Sequence, residues 1–327
     1  MPDMDEVTGV SPGLAEIAGF WRRLFAFCLD GLLLGALGAG IGLFAYDGLA
    51  ALGDWGRLVG FLIALIYFGV MDSDLCKGQT LGKRIAGIKV VTATGLPLSV
   101  RASILRATIF CVPYFLNGAV IDAGAIPTWL SALLAFLVFG VGISIAYLLL
   151  FNRRTRQSLH DLAVGAYVVS SKAGGPIRDG GRIWPAHFGV VGLILMAAML
   201  LPYAAQRLAS SDMFAGLLSV QQGLQQEPGV RHATAYSGVN KFVSKNQGTT
   251  TTHIFSSKIF LSRRVADLDS LANKLARIIL DRDPAAAKED VIAISIVYGY
   301  DIGIASSWRS RNFAFSPDQW RKRSSPL

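Results

Sequence analysis

Charged side chains are scarce in this chain of 327 residues, because Asp, Glu, Lys and Arg make up only 16% of it. A soluble domain typically carries about 25% of these residues, and so little charge does not cover the surface of a soluble protein of this length. Hydrophobic residues make up 52% and the mean hydropathy is +0.46, which excludes disorder over most of the chain. The length allows two domains, or one membrane domain with a soluble one.

Cysteine and histidine are also few, with three and four residues. Cys28, Cys76 and Cys111 lie in or beside apolar runs, and their spacing fits neither a disulfide framework nor a zinc site. We interpret them as small, buried apolar side chains. The histidines have no metal-ligand spacing, and no residue set supplies a nucleophile, a base and a stabilising group together. The sequence therefore predicts no metal, no cofactor and no enzyme activity.

Five stretches are long and apolar enough to cross about 30 Å of hydrocarbon. They are predicted near 24–46, 55–74, 102–121, 128–151 and 186–205. Arg106 and Pro113 interrupt the third, so an amphipathic helix in the membrane interface is its alternative. The first residues are acidic and lack the basic start of a signal peptide, so we expect the first span to be retained.

Basic residues are concentrated in two loops. Six lie between 77 and 106 and six between 153 and 182, whereas the other two predicted turns, 47–57 and 122–127, carry only Arg57. Because cytoplasmic loops are rich in Lys and Arg, we predict a multi-pass protein of the bacterial cell inner membrane with a cytoplasmic N-terminus. Five crossings then place 206–327 in the periplasm of a double-membrane bacterium. Nucleic acid is not an expected partner, because the basic residues follow span ends and no recognition fold is visible.

An internal repeat relates the two halves of the predicted membrane region. Segment 79–91, QTLGKRIAGIKVV, aligns without gaps on 157–169, QSLHDLAVGAYVV. Each segment predicts a helical turn that becomes a short strand after its glycine, at Ile88–Thr92 and at Ala166–Ser170. Both halves enter from the same side, so the repeat is parallel, and we expect the two strands to pair.

Three segments of this region, GFWRRLFAFCLDGLLLG, GQTLGKRIAGIKVV and RQSLHDLAVGAYVV, resemble the RDD family of bacterial membrane proteins. The resemblance covers about 19–170. The family is named for one Arg and two Asp, which the resemblance matches to Arg23, Asp30 and Asp161. It implies a multi-pass membrane protein and little about activity, for which transport is a common suggestion. The region 171–327 lies outside it.

Polar residues within the predicted membrane region form the candidate site. Arg23 and Asp30 share a helix face but lie two turns apart, too far for direct contact, so each needs a partner elsewhere. A carboxylate in the bilayer is costly, so Asp30 is expected to be protonated, paired or hydrated. It is either a proton or cation site or a hydrogen-bonding lock between helices. Arg23 either extends to the lipid headgroups or pairs with Asp161, Asp72 or Asp74.

Opposite charges at equivalent ends of the second and fourth predicted spans are secondary candidates. The acidic residues are Asp72 and Asp74, and the basic residues are Arg153, Arg154 and Arg156. We predict that these two groups clamp the halves together. His160, next to Asp161, is interpreted as part of a helix-capping pair, with a proton relay as the alternative.

The region 206–327 predicts a small α+β domain with an antiparallel sheet. Helical patterns at 207–226 and 265–282 alternate with pairs of strand signals. The strand signals lie at 230–243, 250–262, 291–305 and 308–315, with a turn at 245–248. His232 and His253 are expected to face each other across a hairpin. Three aromatic residues are interpreted as core side chains, with partner binding as the alternative: Phe313, Phe315 and Trp320.

Together these features predict a mainly α-helical membrane bundle of about five transmembrane helices in two parallel repeats, followed by a small extracytoplasmic α+β domain. The predicted order is a cytoplasmic segment 1–19, an RDD-like domain 20–170 with four spans, a cytoplasmic linker 171–185, a fifth span 186–205 and the outer domain 206–327. We expect the protein to move a small ion or solute across the lipid bilayer through a site of Arg23, Asp30 and Asp161. The alternative is a non-transporting scaffold whose outer domain binds a periplasmic protein or an envelope component.

Overall fold

The computed structural model describes residues 16–118, 126–173, 175–177, 183–209, 212–244 and 248–324. These residues form two compact units. The first contains the described residues of 1–39, 57–202 and 303–305, and the second contains those of 40–56, 203–302 and 306–327.

The predicted membrane region is helical. Its helices are α1 (Phe20–Leu52), α2 (Gly56–Met71), the short α3 (Leu81–Ile85), α4 (Val100–Leu116), α5 (Thr128–Ala135), α6 (Gly142–Phe151), the short α7 (Leu159–Ala163) and α8 (Ala186–Ala209). A π-helical segment, Phe136–Val141, joins α5 to α6.

Three continuous helical stretches are long and apolar enough to cross a membrane: 20–71, 128–151 and 186–208. The first contains both α1 and α2, which are joined by the single turn Gly53–Trp55. Helix α4 has only 17 residues, with Pro113 inside it, and does not belong to a qualifying stretch of the described chain. The apolar helices support a membrane protein, whereas the number of five spans and the orientation stay predictions.

The two repeated segments form matching elements. After α3 and α7 the chain passes through Gly87 and Gly165, whose φ angles of +64° and +63° lie in the left-handed region that favours glycine. The strands β1 (Ile88–Thr92) and β2 (Ala166–Ser170) follow and pair antiparallel. Their register is centred on Val90 opposite Val168, which are equivalent residues of the repeat. The predicted strands and their pairing are therefore confirmed, and a local two-fold axis relates the two arms.

The second unit contains a sheet-based domain. Its elements are α9 (Asp212–Gln225), β3 (Val230–Ser244), β4 (Gly248–Leu261), α10 (Leu268–Arg282), β5 (Val291–Asp301), β6 (Ser306–Phe315) and α11 (Pro317–Ser324). The strand order is β3-β4-β5-β6. Strands β4 and β5 run parallel, so the prediction of a wholly antiparallel sheet is wrong. The reason is α10, a crossover connection that returns the chain in the same direction. Helix α11 was not predicted.

Helices α9, α10 and α11 pack against the sheet and form the core of this unit. The predicted aromatic residues contribute to it, because Phe313 and Trp320 are 6% and 0% exposed and Phe315 packs against the cluster. The core interpretation of these rings is confirmed. His232 pairs with Phe260 and His253 with Val239, so the two histidines do not face each other and that prediction is wrong. Most of the predicted turn at 245–248 lies outside the described residues.

All three cysteines are free. Cys111 is buried with Leu34 and Ala64, whereas Cys28 is exposed and Cys76 is half-buried. The interpretation as buried apolar side chains therefore holds only for Cys111.

Candidate functional site

A cavity of about 240 Å³ lies in the first unit. Its charged lining residues are Arg23, Asp30, Asp72, Lys83, Arg106 and Asp161. The rings of Phe27, Phe68 and Phe110 form much of the remaining wall, with edge-to-face contacts between them. The structure therefore brings all three predicted site residues, Arg23, Asp30 and Asp161, to one cavity.

Asp161 is buried between its own helix and two arginines. The N–H of Ser158 donates to its Oδ2 at 3.2 Å and closes a capping box at the start of α7. Its Oδ1 accepts from Nε and Nη2 of Arg106 at 2.8 and 2.7 Å, and Nη1 of Arg23 lies 3.5 Å from Oδ2. Burial raises the pKa of Asp161, but Arg106, His160 and Arg23 outweigh it and hold that pKa well below its usual range.

Arg106 on α4 connects Asp161 to a second carboxylate. Its Nη1 lies 2.7 Å from Oδ2 of Asp72. The same carboxylate accepts from Nζ of Lys83 on α3 at 2.5 and 2.6 Å. These side chains are at most 12% exposed. Because Asp72 follows α2 and Asp161 lies on α7, the buried network ties elements of both repeats together.

The ion pairs that connect the two repeats involve different residues from those predicted for the clamp. Asp72 binds Lys83 and Arg106, so the basic side of the clamp comes from α3 and α4. Three predicted members are exposed: Asp74, Arg153 and Arg154. Arg156 contributes its backbone carbonyl, which accepts a hydrogen bond from Arg23. The prediction of pairing between the two span ends is therefore wrong, because buried cations nearer to Asp72 neutralise it.

Asp30 is bound only by neutral donors. It is 1% exposed, and its Oδ1 accepts from the Tyr67 hydroxyl at 2.7 Å and the Gly82 N–H at 2.8 Å. Its Oδ2 accepts from the Thr80 hydroxyl at 2.6 Å. No basic side chain forms an ion pair with Asp30 among the residues the structure describes. The expectation that Asp30 has partners on other segments is confirmed, since these donors lie on α2 and at the start of α3.

Helix α3 approaches α1 closely at this point because it carries glycine. A Cβ atom on Gly82 would lie 2.2 Å from the Ala26 carbonyl and 2.8 Å from Oδ1 of Asp30. The repeat-equivalent residue on α7 is His160, which carries a side chain at the position where α3 has none. The two arms are therefore alike in backbone but different in the chemistry they present.

Arg23 enters the site from the first turn of α1. It donates to the carbonyls of Arg156 and Val168 and to Asp161. Of the alternatives considered for Arg23, the pairing with Asp161 is therefore the one observed. Arg23 is 9% exposed, and its Nε is a buried donor without a partner among the described residues.

His160 packs against this network. Its Nε2 lies 3.5 Å from Oδ1 of Asp161, and its ring meets the ring of Phe110 at 5.6 Å. Burial lowers the pKa of His160 to about 4, although Asp161 opposes the change. The side chain is therefore neutral near pH 7. Ser158 and Asp161, rather than His160, make the capping contacts of α7.

Several contacting residues of the site were not predicted as part of it, among them Tyr67, Lys83 and Arg106. Arg106 had a signal in the sequence, because a basic residue within an apolar helical run needs a buried counter-ion. Tyr67 had none, since tyrosine near the end of a membrane helix is ordinary. Lys83 was counted only among the loop cations, although its position beside Thr80 and Gly82 brings it to the cavity.

The described ranges contain no group of three or more His, Cys, Asp or Glu side chains placed to hold a metal ion. The cavity instead offers one hydrogen-bonded carboxylate, an ion-pair network and an aromatic wall. Such an arrangement is able to bind a proton, a small cation or a small polar molecule.

Comparison with known proteins agrees with the sequence resemblance. The sequence model of the RDD family matches residues 17–165, which confirms the resemblance predicted over about 19–170. The uncharacterized protein YckC of Bacillus subtilis (strain 168) is 27% identical over 157 residues, which cover 48% of this chain and 87% of YckC. No solved structure gives a significant match to this chain.

Proposed function

We propose that the RDD-like region moves a small cation across the membrane, and that Asp30 is the group at which this cation or an exchanging proton binds. One observation carries the proposal. Asp30 lines the cavity and accepts three hydrogen bonds from neutral groups, Tyr67, Thr80 and Gly82. A buried carboxylate whose hydrogen-bond donors are all neutral favours a positive ion or a proton beside it.

The other carboxylates of the cavity are unsuited to this role because cations already neutralise them. Asp72 contacts Lys83 and Arg106, and Asp161 contacts Arg106 and Arg23. An ion arriving at either carboxylate displaces a buried guanidinium or ammonium group, which leaves an uncompensated charge of its own. Asp30 can exchange a cation without breaking an ion pair.

The size of the cavity supports a small hydrated ligand. A volume of about 240 Å³ has room for several water molecules, and its aromatic wall beside the charged residues limits the size of a ligand that also reaches Asp30. Polar groups within the membrane commonly mark ion paths. The ion-pair network then holds the two repeats in place around the exchanging site.

The test is cation and proton flux in proteoliposomes that contain the full chain or Asp30→Asn. We expect flux of an alkali cation with opposite proton movement for the wild type, and loss to the level of empty liposomes for Asp30→Asn. Asp74→Asn is the matched control, because it removes an exposed carboxylate and should leave the flux unchanged. A thermal melt of each purified variant checks that the fold is retained.

Tyr67→Phe gives a second, graded readout. It keeps the Asp30 carboxylate and removes one of its three donors, so we expect a flux that is reduced several-fold but measurable. Wild-type flux that does not exceed that of empty liposomes for any alkali cation contradicts transport. That result favours the non-transporting scaffold, in which Asp30 only locks α1 to α2 and α3.

A further inference from the structure

A second cavity, of about 220 Å³, lies in the second unit. Its polar lining residues are Arg264, Arg309, Arg311, Tyr298 and Ser310. Leu268, the first residue of α10, also lines it. Three guanidinium groups around one small cavity are a concentration of positive charge that the core of the domain does not require.

The fold brings these arginines together from separate segments. Arg309 and Arg311 are two residues apart on β6, so they extend from the same face of the sheet. They pair across the strands with Tyr298 and Ile296 of β5, which line the same cavity. Arg264 comes from the connection that follows β4. The strand pairing therefore fixes the backbone positions of Arg309 and Arg311 relative to each other.

Aromatic rings orient the three guanidinium groups. Arg309 lies 4.9 Å from the ring centre of Tyr46, and Arg264 lies 5.7 Å from that of Tyr298. Arg311 lies 5.2 Å from the ring centre of Phe313. Contact with a ring restricts the motion of a guanidinium, and a guanidinium has five N–H donors, more than one carboxylate can accept. This restriction reduces the side-chain entropy that an arginine loses on binding an anion.

The nearby carboxylates do not neutralise this charge completely. Asp47 lies 2.9 Å from Arg264, and Asp269 lies 2.7 Å from Arg311. No carboxylate forms an ion pair with Arg309 among the described residues. Arg264 and Arg311 are 57% and 54% exposed, so a ligand can reach them. Three cations face two carboxylates, and the cavity keeps a net positive charge.

We propose that this cavity binds a phosphate group. A guanidinium presents two parallel N–H donors that match two oxygens of a phosphate, and three arginines around one cavity supply donors from several directions. The phosphate belongs either to a soluble compound or to the headgroup of an anionic lipid, and the chemistry of recognition is the same. This site is independent of the proposed transport site.

The experiment uses the full chain in nanodiscs and two probes. Inorganic phosphate is titrated into nanodiscs of phosphatidylcholine, with chloride at matched ionic strength as the reference, and binding is followed by calorimetry. Thermal melting is then compared between nanodiscs of phosphatidylcholine alone and nanodiscs that also contain phosphatidylglycerol. The test variant is Arg309→Gln with Arg311→Gln. The control variant, Arg263→Gln with Lys322→Gln, removes the same charge at exposed positions outside the cavity.

We expect the test variant to bind at least about tenfold more weakly, a change of about 1.4 kcal/mol, and the control to bind like the wild type. Phosphate binding that the test variant loses identifies a soluble ligand. Stabilisation by phosphatidylglycerol that the test variant loses identifies a lipid headgroup. The proposal is overturned if the wild type responds to neither probe, or if the control variant weakens the response as much as the test variant does.

Discussion

The ion pairs in the two units of this protein differ in how far they are removed from water. In the first unit, Asp72, Arg106 and Asp161 are at most 10% exposed and form one continuous network. In the second unit, the partners Arg321 and Asp318 are 56% and 82% exposed. Charges that are removed from water depend strongly on their partners, because their desolvation costs several kcal/mol per ion, whereas exposed pairs keep their hydration. Ion pairs with similar distances in the two units therefore differ in their contribution to stability.

The largest effect expected from this contrast follows the loss of Arg106. In Arg106→Gln, the carboxylates of Asp72 and Asp161 lose the cation that lies between them, and both stay buried. Removing one partner of a buried pair typically costs about 3–5 kcal/mol. We expect a loss of that order in the free energy of unfolding, measured by denaturant titration in detergent. Arg101→Gln, an exposed arginine on the same helix, is the control and should change stability by less than about 1 kcal/mol.

The local structure around this network was predictable from the sequence. Each arm contains residues that favour its local structure: a cap residue, a glycine and a β-branched Val-Val pair at the same spacing. Thr80 accepts the N–H of Lys83 at 3.2 Å at the start of α3, and Gly87 gives the left-handed turn into β1. Local preferences decide such elements, so a repeat of the pattern repeats the structure.

The partners in the network were only partly predictable. Arg23 pairs with Asp161, which was one of its predicted alternatives, but Asp72 binds Lys83 and Arg106. The choice depends on how α3 and α4 pack beside α2, and helix packing is not specified by the spacing of charges along the chain. The parallel pairing of β4 with β5 is similar, because strand direction depends on the crossover by α10 rather than on either strand alone.

A smaller effect concerns the pH dependence of the first unit. His160 has a pKa lowered to about 4, while an exposed histidine has a pKa near 6.5. Between these values the unfolded chain binds a proton that the folded chain does not, so stability falls as the pH decreases from about 6.5 to about 4 and then levels off for this group. The slope contributed by this group approaches about 1.4 kcal/mol per pH unit within that window.

Melting temperatures of the wild type and His160→Gln across this pH range measure this effect. The variant should lose the part of the slope that belongs to His160. Asp161 does not contribute to this slope. Because its pKa is lowered, the stability that Asp161 contributes is lost only as the pH falls below about 3.9. Identical slopes in the two proteins contradict a buried, neutral His160.

The smallest effect is expected at the exposed pair of α11. Arg321 lies 2.9 Å from Asp318, three residues earlier on the same helix, at a distance close to that between Arg106 and Asp72. Because both partners are largely in water, Arg321→Gln should lower the free energy of unfolding by less than about 0.5 kcal/mol. Added salt should reduce the difference further through screening, while it should change the effect of Arg106→Gln much less. A loss at Arg321 as large as the loss at Arg106 means that burial does not set the strength of these pairs, and the contrast between the two units then fails.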